Sequence, residues 1–216
     1  MEVTLQRFLK RFKMEKKTHI RSYSRITNDK FICDNEIVLE RNNTETTDEF
    51  LKRIYQLSEA NYPKYHKMDL LCKATFLTAE FISKKENIYE TETALVLSNH
   101  SSSMVSDERH ALSIYAEEST ASPAVFVYTL PNIALGEISI RHKLLSENVF
   151  FIFDKFTPEF LVNYAEQTLN EKKAEMVLTG WAEIDETNTD VFLYLASAEG
   201  KSEHSIENIT NLYLKK

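Results

Sequence analysis

The most diagnostic segment of the chain reads TASPAVFVYTLPNIALGEISIRHKL and spans residues 120–144. Its apolar run from Ala124 to Val127 predicts an extended stretch. Thr129 follows as the expected cap of a helix that carries Pro131 in its first turn, where a missing backbone N–H costs nothing. The segment therefore predicts an extended stretch followed by a helix over residues 131–144.

The apolar residues of this predicted helix fall on two sides rather than on one. Glu137 and Arg141 are spaced i,i+4 and share the strip between those sides. A helix with two apolar sides packs against more than one layer of structure. One side carries Ile133, Ile140 and Leu144, and the other carries Ala134, Leu135 and Ile138.

The pattern SP…TLPN…xGEIxI resembles that of the β-ketoacyl-acyl-carrier-protein synthases, a family of the thiolase-like superfamily. In that family such a segment begins a helix near the subunit interface, shortly before the strand that leads to the nucleophilic cysteine. The resemblance continues through a strand at Val149 to Phe153 and a helix at Thr157 to Lys172. It ends with MVLTGWAE (176–183), which is similar to the family's Gly-Gly-x-Glu strand, and covers roughly residues 60–185.

The resemblance implies an α/β fold, namely half of a thiolase-like fold with a three-layer mixed sheet and helices on both faces. Alternating strand-like and helical patterns along the chain agree with that class. We assign residues 18–216 to this N-terminal ketosynthase-like half-domain, and we expect helix 157–172 to pack on the sheet by its Phe160 and Tyr164 side. Predicted strands lie at 19–26, 30–39, 94–97, 149–153, 175–181 and 191–198.

The resemblance breaks at the position that carries the chemistry. Counting back from Gly180 places the family's nucleophile at about Lys155, where neither cysteine nor serine stands. The family's two catalytic histidines and its lysine belong to a C-terminal half that we do not expect in 216 residues. We therefore expect no condensing activity and no cofactor.

Glycine content points the same way. The chain has 3 glycines, whereas average usage would give roughly 15. Active ketosynthases need glycine-rich loops that bring the backbone close to a thioester. We expect Gly136 and Gly180 to serve packing instead.

An unusually aromatic strand predicts association. A strand with Phe150, Phe151 and Phe153 at a sheet edge would aggregate if left open, so we expect it to pair. The expected partner is a second copy or a full-length ketosynthase, and an acyl-carrier protein is a further candidate. The residues assigned to a pocket or interface are Pro131, Asn132, Gly136, Phe150, Phe151, Phe153 and Trp181. For Trp181, packing in the core is an alternative explanation.

Composition excludes several other classes of function. A net charge of −7 argues against nucleic-acid binding. Cys33 and Cys72 stand singly in apolar contexts, which indicates reduced core thiols in a cytoplasmic protein. No apolar run approaches the length of a membrane span, and the N-terminus lacks the pattern of a secretory signal.

Residues 1–17 are predicted to be a separate helical extension. Leu5, Phe8, Leu9 and Phe12 follow helical spacing among basic residues. Such a helix can dock its apolar stripe on the domain or lie on an anionic membrane surface, and the segment can equally be disordered when alone.

The resemblance and the missing nucleophile together predict a non-catalytic accessory or partner subunit of fatty-acid-like or polyketide-like biosynthesis. Two alternatives to this function stay open. The first is an enzyme that uses His100, Ser102 or Asp107, although the 99–103 loop lacks the glycines of a hydrolase elbow and also reads as a Ser-rich turn. Asp107 and His110 could support a metal, but no third ligand is evident. The second is a self-associating relic scaffold without an acyl ligand.

Overall fold

The computed structural model describes residues 17–115, 122–185 and 187–215. The predicted N-terminal helix lies outside the described residues except for Lys17, whose Nζ is 2.9 Å from a carboxylate oxygen of Glu203. Among the described residues, no helix combines the length and apolar character that crossing a membrane requires.

In this part of the chain, eight strands form one mixed sheet in the order β3-β2-β1-β7-β6-β4-β5, with β8 paired to β1. Strand β4 runs parallel to both β5 and β6, and the other pairings are antiparallel. The strands are β1 His19–Thr27, β2 Lys30–Cys33, β3 Glu36–Glu40, β4 Thr93–Asn99, β5 Asn148–Ile152, β6 Met176–Ile184, β7 Thr189–Ser197 and β8 Ser202–Glu203.

Helices cover both faces of this sheet, so the three-layer α/β prediction is confirmed. The described helices are α1 Thr47–Ser58, α2 Leu70–Glu86, α3 Met104–Tyr115, α4 Pro123–Val127, α5 Ile133–His142, α6 Pro158–Asn170 and α7 Ile206–Leu214, with a 3₁₀ helix at Pro63–Lys67. Helices α1, α2 and α5 pack on one face, and α6 and α7 pack on the other. Strand β7 shows the division: Leu193 belongs to the first core and Phe192 to the second.

Side-chain caps fix where two of the helices begin. Thr46 and Glu49 form a reciprocal capping box at the start of α1. The Asp69 carboxylate accepts a hydrogen bond from the Cys72 backbone N–H at the start of α2, at 2.9 Å. Both N-termini lie on the same side of the molecule, where they line a common cavity.

The predicted single strand at 30–39 is wrong, because the chain turns back at its middle. Asp34 and Asn35 have φ values of 45° and 73°, a left-handed pair that asparagine and aspartate tolerate. Strands β2 and β3 consequently form a hairpin that extends the sheet beyond β1. Asp and Asn without glycine are a weaker turn signal than Asn-Gly or Asp-Gly.

The predicted extended run at Ala124 to Val127 is also wrong, because these residues lie in α4. Pro123 occupies the first turn of that helix, where its fixed φ favours helix formation. Thr129 does not cap the next helix: its hydroxyl donates to the Phe126 carbonyl at 2.7 Å, and α5 begins after Asn132.

Helix α6 packs on the sheet with the predicted side, and its buried arc also includes Val162. Leu161, Val162, Ala165 and Thr168 are its buried residues. Phe160 and Tyr164 are half-buried and lie beside this arc, where they pack against the edge strand. The opposite arc is polar and exposed at Glu159, Asn163, Gln167 and Asn170.

Candidate functional site

The three parallel strands end at one edge of the sheet, close to Trp181 and to the turn that carries Lys155. Asn99 of β4 is aligned with Ile152 of β5, and Ser98 is aligned with Trp181 of β6. The Phe153 N–H donates to the Asn99 carbonyl at 2.9 Å, which continues the pairing one residue further. Ligands of open α/β sheets bind outside the carboxyl ends of such strands.

Lys155 lies in the turn between β5 and α6, and its surface is exposed. Its carbonyl accepts a hydrogen bond from the Thr157 hydroxyl at 2.9 Å. The next residue, Phe156, anchors the turn, with its ring centroid 4.0 Å from that of Tyr213 and 6.3 Å from that of Trp181. A solvated lysine lacks the desolvation by which proteins make an amine nucleophilic.

Trp181 and Gly180 of β6 are tightly packed next to this turn. Trp181 is 4% exposed. Gly180 has a φ of 155°, and a Cβ there would lie 1.9 Å from the Phe192 carbonyl oxygen. Gly180 therefore has the predicted packing role, because the backbone of β7 occupies the space of a side chain. Gly136 does not, since no atom lies within 4 Å of where its Cβ would be.

The Glu183 carboxylate accepts hydrogen bonds from two backbone N–H groups just after the end of β4. The Glu183 Oε2 accepts from the N–H groups of His100 and Ser101, at 2.7 and 3.1 Å. Two adjacent N–H groups are a ready site for an anion, and here the anion is internal. Sequence reasoning placed Glu183 in the correct strand but missed this contact, which depends on the parallel register of β4 and β6.

The Asn99–Ser103 loop has the geometry of a polar turn. The Asn99 side chain bonds both the carbonyl and the N–H of Ser102, at 2.7 and 3.0 Å. The His100 Nδ1 lies 3.3 Å from the Phe153 carbonyl. Within the described residues, no hydrogen bond joins His100, Ser102 and Asp107 to one another, so no nucleophile–base pair is assembled. In the same part of the chain, no three His, Cys, Asp or Glu side chains are grouped so as to hold a metal ion.

The two cysteines are not part of this site. Both are free thiols; Cys72 is buried and Cys33 is partly exposed. Burial raises the pKa of both thiols, to about 12 for Cys33. These are the surroundings of inert core cysteines.

Strand β5 forms the outer edge of the sheet and pairs only with β4 in the described structure. Phe151 and Phe153 point towards α6, with ring centroids 4.7 and 4.9 Å from that of Phe160. Phe150 packs against the opposite core. Ile152, in contrast, is 50% exposed. The phenylalanines thus mainly hold the edge strand to its own domain, and Ile152 is its apolar surface residue.

Pro131 and Asn132 lead into α5, and both predicted apolar sides reach the core, since Leu144 is buried and Ile133 is partly buried against it. Ala134, Leu135 and Ile138 are buried in the core that α2 shares, whereas Ile140 is 61% exposed. Just beyond the helix, Leu145 is 96% exposed. Residues of both predicted sides therefore pack in the core, and Ile140 is the exposed exception.

The two charged residues of α5, Glu137 and Arg141, form ion pairs with residues distant in the sequence rather than with each other. The Arg141 guanidinium donates two hydrogen bonds to the buried Glu80 carboxylate, at 2.7 and 3.0 Å. Glu137 pairs with Lys64 at 2.8 Å. The i,i+4 spacing of Glu137 and Arg141 correctly predicted that both lie on one strip of the helix, which faces α2 and the 3₁₀ helix. The spacing could not predict their partners, Lys64 and Glu80, because these lie far away in the sequence.

No family model matches the chain, and no curated protein sequence is significantly similar to it. Solved structures do match. The ishigamide ketosynthase/chain length factor aligns over 84% of this chain and 62% of its own, with 14% identity and a TM-score of 0.60. The chain has a ketosynthase-type fold.

Two further structures of this fold align over a similar part of the chain. One is the ketosynthase ApeO in complex with its chain length factor ApeC from Xenorhabdus doucetiae, at 14% identity, 86% and 80% coverage and a TM-score of 0.56. The other is AntDE:AntF, a type II acyl-carrier protein in complex with its ketosynthase, at 12% identity, 84% and 62% coverage and a TM-score of 0.60. The chain thus spans about three fifths of the ishigamide and AntDE chains. The structural alignments establish the ketosynthase-type fold. At identities this low they do not establish an activity, which must be argued from the site.

Proposed function

We propose that this chain is a non-catalytic ketosynthase-like subunit that pairs with a full-length ketosynthase in a fatty-acid- or polyketide-type pathway. The observation that carries the proposal is the exposed Lys155 in the turn between β5 and α6. The family resemblance places the nucleophilic cysteine at this position. A subunit with a ketosynthase-type fold and no nucleophile can contribute shape and contacts to a partner's reaction.

The free edge of β5 supports association. Because the Phe153 N–H and the Glu147 carbonyl face β4, strand alternation turns the backbone groups of residues 148, 150 and 152 away from it. Such an open row of donors and acceptors is a template for another strand. Ile152, Leu145 and Ile140 are exposed apolar residues along or beside it.

The structural comparisons support a partner role rather than a particular pathway. The ApeO structure is described as a ketosynthase in complex with its chain length factor, and the ishigamide protein as a ketosynthase/chain length factor. We infer a similar two-subunit arrangement here, in a polyketide-like or aryl-polyene-like pathway.

The test is co-purification of the tagged chain with a full-length ketosynthase from the same organism. Ile152→Lys places a charge on the exposed edge and should abolish the complex. Ile206→Lys in α7 is the matched control, since Ile206 is 42% exposed on a different element. Phe151 is less suitable, because its ring packs on Phe160 and Tyr164 and a charge there would disturb the fold.

If Ile152→Lys and Ile206→Lys both retain the complex, the proposed interface is wrong. The same open edge could instead pair with a second copy of the chain, as in an isologous dimer. Sedimentation of the chain alone distinguishes the two: the heterodimer proposal predicts a monomer that associates only when the ketosynthase is added.

A further inference from the structure

Two adjoining cavities lie between the carboxyl edge of the sheet and the N-termini of α1 and α2. They share Asp69, Leu70 and Arg109. The first cavity, of about 450 Å³, is lined by residues 101–103 and Asp185. The second, of about 700 Å³, is lined by Arg41 and Lys73. Because they have three lining residues in common, the cavities adjoin one another, and the pair is called the groove below.

The second cavity is lined by more positive than negative side chains, namely Arg41, Lys73 and Arg109 against Asp48 and Asp69. The Arg41 guanidinium donates to the carbonyls of Glu45 and Asn28, at 2.8 to 3.3 Å. Arg109 is exposed and, within the described residues, has no ion pair. Lys73, the third cation, is already paired with Asp48 at 2.5 Å. Arg41 and Arg109 are therefore the two charges available to a ligand.

The other groups of the second cavity favour an anion or are already occupied. Thr47 and Leu70 begin two helices of 12 and 17 residues, and helix N-termini carry partial positive charge. The Asp69 carboxylate accepts hydrogen bonds from the Cys72 N–H and the Ser106 hydroxyl, at 2.9 and 2.7 Å. Asp48 is paired with Lys73, whereas Asp69 keeps its negative charge, so an anion here is attracted by two arginines and two helix N-termini and opposed by one carboxylate.

The first cavity has a different chemistry. Ser103 is 4% exposed, and its Oγ has no hydrogen-bond partner. Glu108 and Asp185 also line this cavity. Hydroxyl and carboxylate oxygens accept hydrogen bonds from hydroxyl groups, and the two carboxylates repel a second anion.

We propose that this groove binds a phosphate monoester whose organic part carries hydroxyl groups. The phosphate lies near Arg109, whose guanidinium can bind it bidentately, and Arg41, whose N–H groups are largely engaged with backbone carbonyls, contributes its positive charge. The hydroxyl-bearing part lies along residues 101–103 and Asp185. This site is separate from β5 and does not depend on the proposed association.

The test is calorimetric titration of the full chain at low ionic strength with two probes, inorganic phosphate and ribose 5-phosphate. Both should bind, and ribose 5-phosphate should bind more tightly because it also reaches the first cavity. Arg109→Gln should weaken both by roughly tenfold, the size expected for one charge-assisted contact. It should not affect folding, because the exposed Arg109 side chain has no hydrogen bond or ion pair within the described residues.

The matched control is Lys84→Gln, which removes one exposed positive charge from the last turn of α2, about 21 Å along the helix from Leu70. It should leave both affinities unchanged. No binding of either probe by the wild-type chain at millimolar concentration would overturn the proposal, as would equal weakening by Lys84→Gln and Arg109→Gln. Ribose 5-phosphate binding no tighter than phosphate would overturn the role of residues 101–103.

Discussion

Gly180→Ala should destabilise the folded chain strongly, because two independent effects act at that residue. A φ of 155° is costly for any residue with a side chain, by about 1–3 kcal/mol. The added Cβ would also lie 1.9 Å from the Phe192 carbonyl oxygen and 2.9 Å from the Leu193 Cα, so β6 or β7 must shift. Overpacking of this kind costs about 1–3 kcal/mol more. The expected loss in the free energy of unfolding is therefore about 2–6 kcal/mol.

Gly136→Ala is the matched control, with the opposite sign expected. No atom lies within 4 Å of a Cβ at that position. Alanine inside a helix is favoured over glycine by about 0.5–1 kcal/mol, so this variant should be slightly more stable than wild type. Urea unfolding can be followed by the fluorescence of Trp181, the single tryptophan, which is 4% exposed in the fold. A Gly180→Ala variant within about 1 kcal/mol of wild type would refute the close approach of β6 and β7.

Three further predictions concern the site and the buried histidines. Incubation with an acyl-carrier thioester should leave Lys155 unmodified by mass spectrometry, and a stable adduct there would show a substituted nucleophile. Glu183→Ala should lower the free energy of unfolding by about 2 kcal/mol because the His100 and Ser101 N–H groups lose their acceptor, while Glu108→Ala on exposed α3 should not. Burial lowers the pKa of His204 to about 4, below the value of 6.5 expected when unfolded. The unfolded state therefore binds the proton first, so His204 alone should lower the free energy of unfolding by about 3 kcal/mol between pH 6.5 and 4. The buried His142, whose pKa is also lowered to about 4, adds to the total fall. That fall should be smaller in His204→Asn; an equal fall would contradict this assignment.

Local patterns predicted most of the fold. Strands β4, β6 and β7 were predicted from apolar runs, and helix α2 from its apolar spacing, because burial on one or both faces imposes these periods. The errors fell where a short run is ambiguous. Residues 124–127 are apolar and include two valines, yet they form a single helical turn after Pro123.

The site was less predictable, because its contacts join distant parts of the chain. Counting from Gly180 placed Lys155 between a strand and a helix, where it lies, and its equivalence to the nucleophile position stays a prediction. The Glu183 contact with His100 and Ser101 spans more than 80 residues, and the Arg141 contact with Glu80 spans 61. Neither follows from local spacing, since each depends on sheet register or helix packing.

The central claim is association through the open edge of β5, and hydrogen exchange tests it most directly. The backbone N–H groups of Phe150 and Ile152 face away from β4 and should exchange quickly in the chain alone. Adding a full-length ketosynthase from the same organism should slow exchange at residues 148–152 and leave α7 unchanged. Formation of a complex without protection at 148–152, or no complex at all, would contradict the account.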